Sequence, residues 1–131
     1  MNDLEKVREY FKNDIYAAEQ TGIEIIEAHP GYAKCGLKID RRHKNARDAV
    51  MGGVYFTMAD YAFAIAANLE HHPTVTQSSQ IVFLSAPKGE RLYATTERIK
   101  SGRRTCFYKI SVSDELGNDV AYVTTTGIVL D

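Results

Sequence analysis

From position 52 to 69 the chain reads GGVYFTMADYAFAIAANL, and past the two glycines no continuous polar face can be drawn around a helix of these residues. A helix that is apolar on every side is buried on most sides in a water-soluble protein. The run is interrupted by Asp60 and is too short and too polar for a confident membrane span. The rest of the chain is therefore expected to wrap this helix. Residues 75–84, 91–100, 103–113 and 119–129 alternate like strands, and the breaks between them (APKG, SG and DELGN) are turn-like. DELGN between two alternating segments is a hairpin signal.

The segments before the helix complete the pattern. Leu4, Val7 and Phe11 recur at helical spacing behind Asn2 and Glu5, which are placed like a capping box. This first helix is expected to run on through Ile15, Tyr16 and Ala17 as far as Gly22. Ile23, Ile25 and the residues to Ala28 then read as a strand, HPGY as a turn, and residues 32–39 as a returning strand with Cys35, Leu37 and Ile39 on one face. DRRHKNARDA, residues 40–49, is a polar loop. The order α-β-β-α-β-β-β-β predicts an α+β fold: an antiparallel sheet wrapped around a central helix, with a further helix at the N-terminus. A chain of 131 residues, 44% hydrophobic and 25% charged, suits one domain spanning 1–131.

Composition also narrows function. A net charge of −1 gives no general attraction to nucleic acid or to a membrane surface. Cys35 and Cys106 show no metal-ligand spacing, and MNDLEKVREYFKND has no apolar leader core, so a cytoplasmic protein with thiols in a reducing compartment is expected.

Asp60 is the anomaly in the helix. Burying an unpaired carboxylate is costly, and the usual responses are a raised pKa or a partner. Asp60 could bond to Thr57, pair with an arginine across a subunit interface, or sit at a wet edge. It could instead serve as a general base or nucleophile in an apolar cleft. Gly52-Gly53 adds weight to the chemical reading. The first N–H groups of a helix are unpaired, glycine lets a ligand atom approach them, and the helix N-terminus favours developing negative charge. A carbonyl oxygen becoming an oxyanion would be stabilised there. Eight residues separate Gly52 from Asp60, which is about 12 Å along a helix, so the two are not expected to meet one reacting carbon within one chain. Antiparallel helices from two copies would bring Asp60 of one to Gly52 of the other. A dimer with two composite sites is the expectation, and the many alanines would let a second copy pack close.

These residues also carry a resemblance. Asn45, Met51, Gly52, Gly53, Met58, Ala59, Asp60 and Ala62 form the string N-x5-M-G-G-x4-M-A-D-x-A. It resembles the hotdog-fold thioesterases of the phenylacetic-acid-pathway (PaaI-like) type, whose pattern is close to N-x5-H-G-G-x4-L-A-D-x-A. The likeness extends through VTQSSQIVFLSAPKGERLYATTERIKSGRRT to the closing strands around DELGNDVAYVTTTG. It implies an acyl-CoA thioesterase active as a homodimer or homotetramer, with coenzyme A only as part of the substrate and with no metal and no other cofactor. By the resemblance Asp60 is the nucleophile or the base for water, and the Gly52 N–H binds the thioester oxygen. Asn45 positions the water or thioester, and Thr76 (with Ser78 as the alternative) orients the water. Gly53 and Met51 border the substrate, and Arg103 and Arg104 are candidates for the nucleotide phosphates, since arginine forks suit phosphate. The departure is Met51, where the family has histidine. Methionine cannot donate a hydrogen bond, so a hotdog module that binds acyl thioesters without cleaving them is the alternative, and a dehydratase lacks the histidine it would need. No other histidine substitutes: His43 reads as an exposed loop residue, His71 and His72 lie at the far end of the helix, and His29 sits in a turn.

Overall fold

The computed structural model describes residues 1–131. Its elements are α1 (Asp3–Phe11), a π-helical turn (Tyr16–Gln20), β1 (Glu24–His29), β2 (Tyr32–Lys38), a 3-10 turn (Arg41–His43), α2 (Gly52–Glu70), β3 (Thr74–Phe83), β4 (Arg91–Ser101), β5 (Thr105–Asp114) and β6 (Asp119–Val129). The six strands form one sheet in the order β1-β2-β4-β5-β6-β3, antiparallel at every pairing. The sheet curls around α2, which is the hotdog arrangement. No helix is long and apolar enough to cross a membrane.

The packing follows from the pattern. Met58, Ala59, Ala62, Ile65 and Ala66 of α2 are buried together with Ala33, Cys35 and Leu37 of β2, Leu92 and Ala94 of β4, and Ile110 and Val112 of β5. Alanine on the helix side lets the backbone settle close onto the sheet. Each fully buried Ile or Leu in this layer contributes about 1.5–3 kcal/mol relative to exposure. Cys35 and Cys106 are free and buried, and burial pushes the Cys35 thiol up to about 12, leaving no thiolate for chemistry at neutral pH.

The first helix is shorter than its periodicity suggests. Asn2 Oδ1 accepts the Glu5 N–H at 2.8 Å as expected of a cap, but α1 stops at Phe11. The Asp14 N–H donates to the Phe11 carbonyl and the Tyr61 hydroxyl adds a second donor there at 2.9 Å. The chain then restarts as the π turn, in which the Thr21 N–H reaches the Tyr16 carbonyl. Its end is closed from outside, by Arg42 donating to the Gln20 carbonyl at 3.0 Å and by His43 donating to the Thr21 carbonyl at 2.8 Å.

Two turns pin the sheet. Gly31 adopts φ +82° between β1 and β2, a conformation that favours glycine. In the β5–β6 turn the buried Asp114 carboxylate accepts N–H groups from Lys88, Gly89, Leu116 and Asn118, and the Asn118 side-chain amide. Burial alone would raise its pKa. The converging N–H donors outweigh burial and hold the carboxyl well below the usual carboxylate range.

Candidate active site

α2 is not enclosed on all sides. Met51, Gly53, Phe56 and Asp60 are exposed, and with the half-buried Thr57 and Ala64 they form one stripe at helical spacing. The helix is buried on most sides, as its apolar run implies, and this one stripe stays open because the curled sheet covers only part of the circumference. Asp60 is accordingly exposed in the single chain, not enclosed.

The glycines open the helix. Met51 precedes them in an extended conformation (φ −69°, ψ 136°) with no side-chain cap. Neither Gly52 nor Gly53 donates its N–H to any acceptor in the chain, so two adjacent donors are free at the positive end of α2. Phe83, at the end of β3, covers the α-carbon of Gly52 so closely that a Cβ there would lie 2.6 Å from its ring. Nothing lies within 4 Å of the corresponding position on Gly53. The loop before the helix is ordered by Asn45, whose Oδ1 accepts the N–H groups of Arg47 at 2.9 Å and Ala49 at 3.2 Å. Those bonds occupy the oxygen and leave the amide NH2 of Asn45 as its free donor.

Asp60 faces a cavity of about 290 Å3 lined by Asp14, Ile15, Tyr16, Ala17, Thr57, Tyr61 and Ala64 as well as by itself. The Thr76 hydroxyl donates to Asp60 Oδ1 at 3.4 Å. The alternative partner, Thr57, donates instead to the Gly53 carbonyl at 2.8 Å. Desolvation by the protein packed at its base raises the Asp60 pKa and the nearby Asp14 charge raises it further, while the Thr76 bond opposes both. The site thus has an end with two free N–H donors at Gly52 and Gly53 and a carboxylate end at Asp60, on one stripe but two turns apart. A second cavity of about 270 Å3, lined in part by Tyr16, Arg42, Lys44, Met51, Gly53 and Thr57, continues the groove to the helix N-terminus.

Other expected site residues fall elsewhere. Arg103 and Arg104 lie exposed between β4 and β5, at the sheet end where α2 finishes, and so far from Gly52 of the same chain. Ser78 follows the bulge in β3 and borders a different cavity, with Ile99 and Phe107, while Thr76 reaches Asp60. No group of three His, Cys, Asp or Glu side chains is gathered as for a metal. His43 contradicts its reading as an exposed loop residue: it is 2% exposed, with both ring nitrogens bonded. His29, His71 and His72 are exposed. Asp14, Tyr16 and Phe83 were not singled out by sequence reasoning. Their approach to α2 depends on the break after α1 and on the reach of β3, which no local pattern announces.

The family model described as "Thioesterase superfamily" matches residues 48–121, more than half of the chain. The chain belongs to the thioesterase superfamily. This thioesterase is 30% identical over 112 residues to acyl-coenzyme A thioesterase PaaI of Escherichia coli, covering 85% of this chain and 79% of the relative. Among solved structures, it is similar to the phenylacetic acid degradation protein PaaI of Thermus thermophilus, with a TM-score of 0.81 and 28% identity over 86% of this chain and 97% of that one. It is also similar to a hypothetical thioesterase protein of Streptococcus pneumoniae solved with coenzyme A, with a TM-score of 0.84 and 25% identity over 94% and 96% of the two chains. The protein is a PaaI-like hotdog thioesterase, an enzyme of thioester hydrolysis.

Proposed function

We propose that this thioesterase hydrolyses acyl-CoA to free acid and coenzyme A in a homodimer whose sites each combine Gly52 of one copy with Asp60 of the other. The observation that carries this reading is the pairing, on one uncovered stripe of α2, of two unpaired helix N-terminal N–H groups with a carboxylate about 12 Å away. Two antiparallel copies of that stripe would set donor opposite carboxylate twice. β3 favours the same arrangement, because it ends the sheet with Val75 and Phe83 exposed. The other edge is blunted: Arg8 donates to the Ile25 carbonyl of β1 and a bulge follows.

In this reaction the thioester oxygen lies at the Gly52 N–H. Asp60 either attacks the acyl carbon or takes a proton from a water that does. The new C–O bond forms as the carbonyl becomes an oxyanion, and the helix N-terminus holds that charge. Collapse breaks the C–S bond. Where water attacked, the proton taken by Asp60 passes to the departing thiolate. Where Asp60 attacked, water then hydrolyses the acyl–Asp60 anhydride, freeing the acid and the carboxylate and supplying the thiol's proton. Thr76 holds the carboxylate, the free amide of Asn45 directs the water or thioester, and the groove past Thr57 takes the acyl group. Gly53 and Met51 border the thioester. Met51 in place of the family histidine leaves the backbone donors intact. Arg103 and Arg104 are assigned to the nucleotide phosphates. No metal or further cofactor is required.

The test is thiol release from short, medium, aromatic and hydroxylated aryl acyl-CoAs, with binding of each measured in parallel. Asp60→Asn is expected to lower kcat by ~10²–10⁴-fold while acyl-CoA still binds. A loss under tenfold removes Asp60 from its role. Binding without turnover by the native protein would instead mark a module that holds thioesters intact.

A further inference from the structure

We propose that His43 is a positioning residue for the oxyanion donor: its neutral imidazole, protonated at Nε2, braces the loop that ends at Gly52 against the π turn. This role rests on the thioesterase reading of Gly52. The ring is buried and its protonation is set by its two partners. Nδ1 lies 3.0 Å from the Asp40 backbone nitrogen, which can only donate. Nε2 lies 2.8 Å from the Thr21 carbonyl, which can only accept. The proton therefore sits on Nε2 and Nδ1 is bare.

The brace leads directly to the site. The His43 backbone carbonyl accepts the N–H of Met51 at 2.9 Å. Met51 is the N-cap of α2, and the next N–H along the chain is that of Gly52. Between the two anchor points Lys44 bridges Val50, closing the loop that carries Asn45. Thr21, the imidazole, the His43 carbonyl and the Met51 N–H thus form one connected path from the π turn to the oxyanion donor. The charges facing the ring are the Asp40 carboxylate, 3.4 Å from Nδ1, and the neighbouring Arg42. Arg42 ties the same two segments by a separate route, from Asp40 Oδ2 to the Gln20 carbonyl, and its side chain makes no bond to Met51. It is the natural control, since it shares the neighbourhood and lacks the path.

A catalytic donor displaced by about 1 Å can lose ~10²-fold in rate. His43→Ala is therefore expected to lower kcat by ~10–100-fold while KM changes by less than about threefold. Because Arg42 also lines the groove, Arg42→Ala is compared by exchange and not by turnover: its Met51 amide should exchange within about threefold of the native rate. His43→Asn, which keeps an acceptor near the Nδ1 position, and His43→Gln, which keeps a donor near Nε2, should each recover part of the loss. If His43→Ala does not fold, the Asn and Gln variants carry the comparison. Two readouts need no turnover: nitrogen NMR of the native imidazole should report the Nε2–H form, and the Met51 amide should exchange at least ~10-fold faster in the His43 variants than in Arg42→Ala. A proton on Nδ1, or on both nitrogens, would overturn the proposal. So would native kcat in His43→Ala, or Met51 exchange as fast in Arg42→Ala as in His43→Ala. Should the native protein release no thiol, the acyl-CoA reading falls, and the tautomer and the Met51 exchange still decide the brace.

Discussion

At the scale of single residues, the proposed role of Asp60 makes its protonation the acid limit of activity. As nucleophile or base the carboxylate would work when ionised, so kcat/KM should rise with pH through its folded-state pKa. Desolvation and Asp14 raise that pKa and Thr76 lowers it, so the acid limb should lie above the ordinary carboxylate range. Thr76→Val removes a bond that favours the ionised form and should move the limb to higher pH. Asp14→Asn removes a like charge and should move it to lower pH. Opposite displacements in pH profiles of kcat/KM check the assignment, and parallel ones would show that both variants act through general disturbance. Asp60 was legible in the sequence because a carboxylate inside an apolar helix is an inconsistency that invites a chemical reason. His43 was not. A histidine in DRRHKNARDA looks solvated, and only the fold brings Thr21 within reach of its ring.

Among the elements, α2 has two free N–H donors at its start, and the proposed oxyanion site would depend on the glycines that carry them. Gly52→Ala places a Cβ against the far end of the Phe83 side chain, which is 58% exposed and can swing away. The cost in stability should therefore stay below about 1 kcal/mol. Yet the swung ring and the new methyl crowd the free N–H, so kcat should fall by at least ~10-fold. Thermal melts beside thiol-release rates separate the two effects. Elsewhere the β5–β6 turn depends on one ionised side chain. The folded-state pKa of Asp114 lies below its unfolded value, so its stabilisation is full above the unfolded pKa and is lost as pH falls through the folded one. Asp114→Asn should melt at a lower temperature than the native protein near neutral pH, and the gap should narrow in acid. Melting curves from pH 7 downwards test this. Strand positions and the α2 span were readable because alternation and uninterrupted apolarity are local signals. The end of α1 was not, because Phe11 is followed by residues that suit a helix. The stop is imposed by Tyr61, fifty positions on, donating to the Phe11 carbonyl.

At the scale of the whole molecule, the uncovered stripe and the open edge of β3 form the surface that the proposed dimer would cover. The apolarity of α2 implied burial on most sides, and the curled sheet supplies that while leaving one stripe open. Sequence could indicate that something must cover the remaining face but not which residues it comprises, since that depends on how far the sheet curls. The exposed members are now explicit: Phe56 on α2, with Val75 and Phe83 on β3. In a two-fold arrangement each substitution on this surface occurs twice and meets the same surface of the partner. Phe56→Glu combined with Val75→Glu would place four added carboxylates in one interface while leaving the buried layer beneath α2 untouched. Burying such charges without partners costs several kcal/mol, enough to move a micromolar assembly towards single chains of 14.7 kDa. Sedimentation should show that mass, circular dichroism should show the native fold, and thiol release should fall in step with the dimer fraction, because no single chain brings Gly52 and Asp60 together. A folded single chain with full turnover would place the whole reaction within one copy and end the composite-site reading.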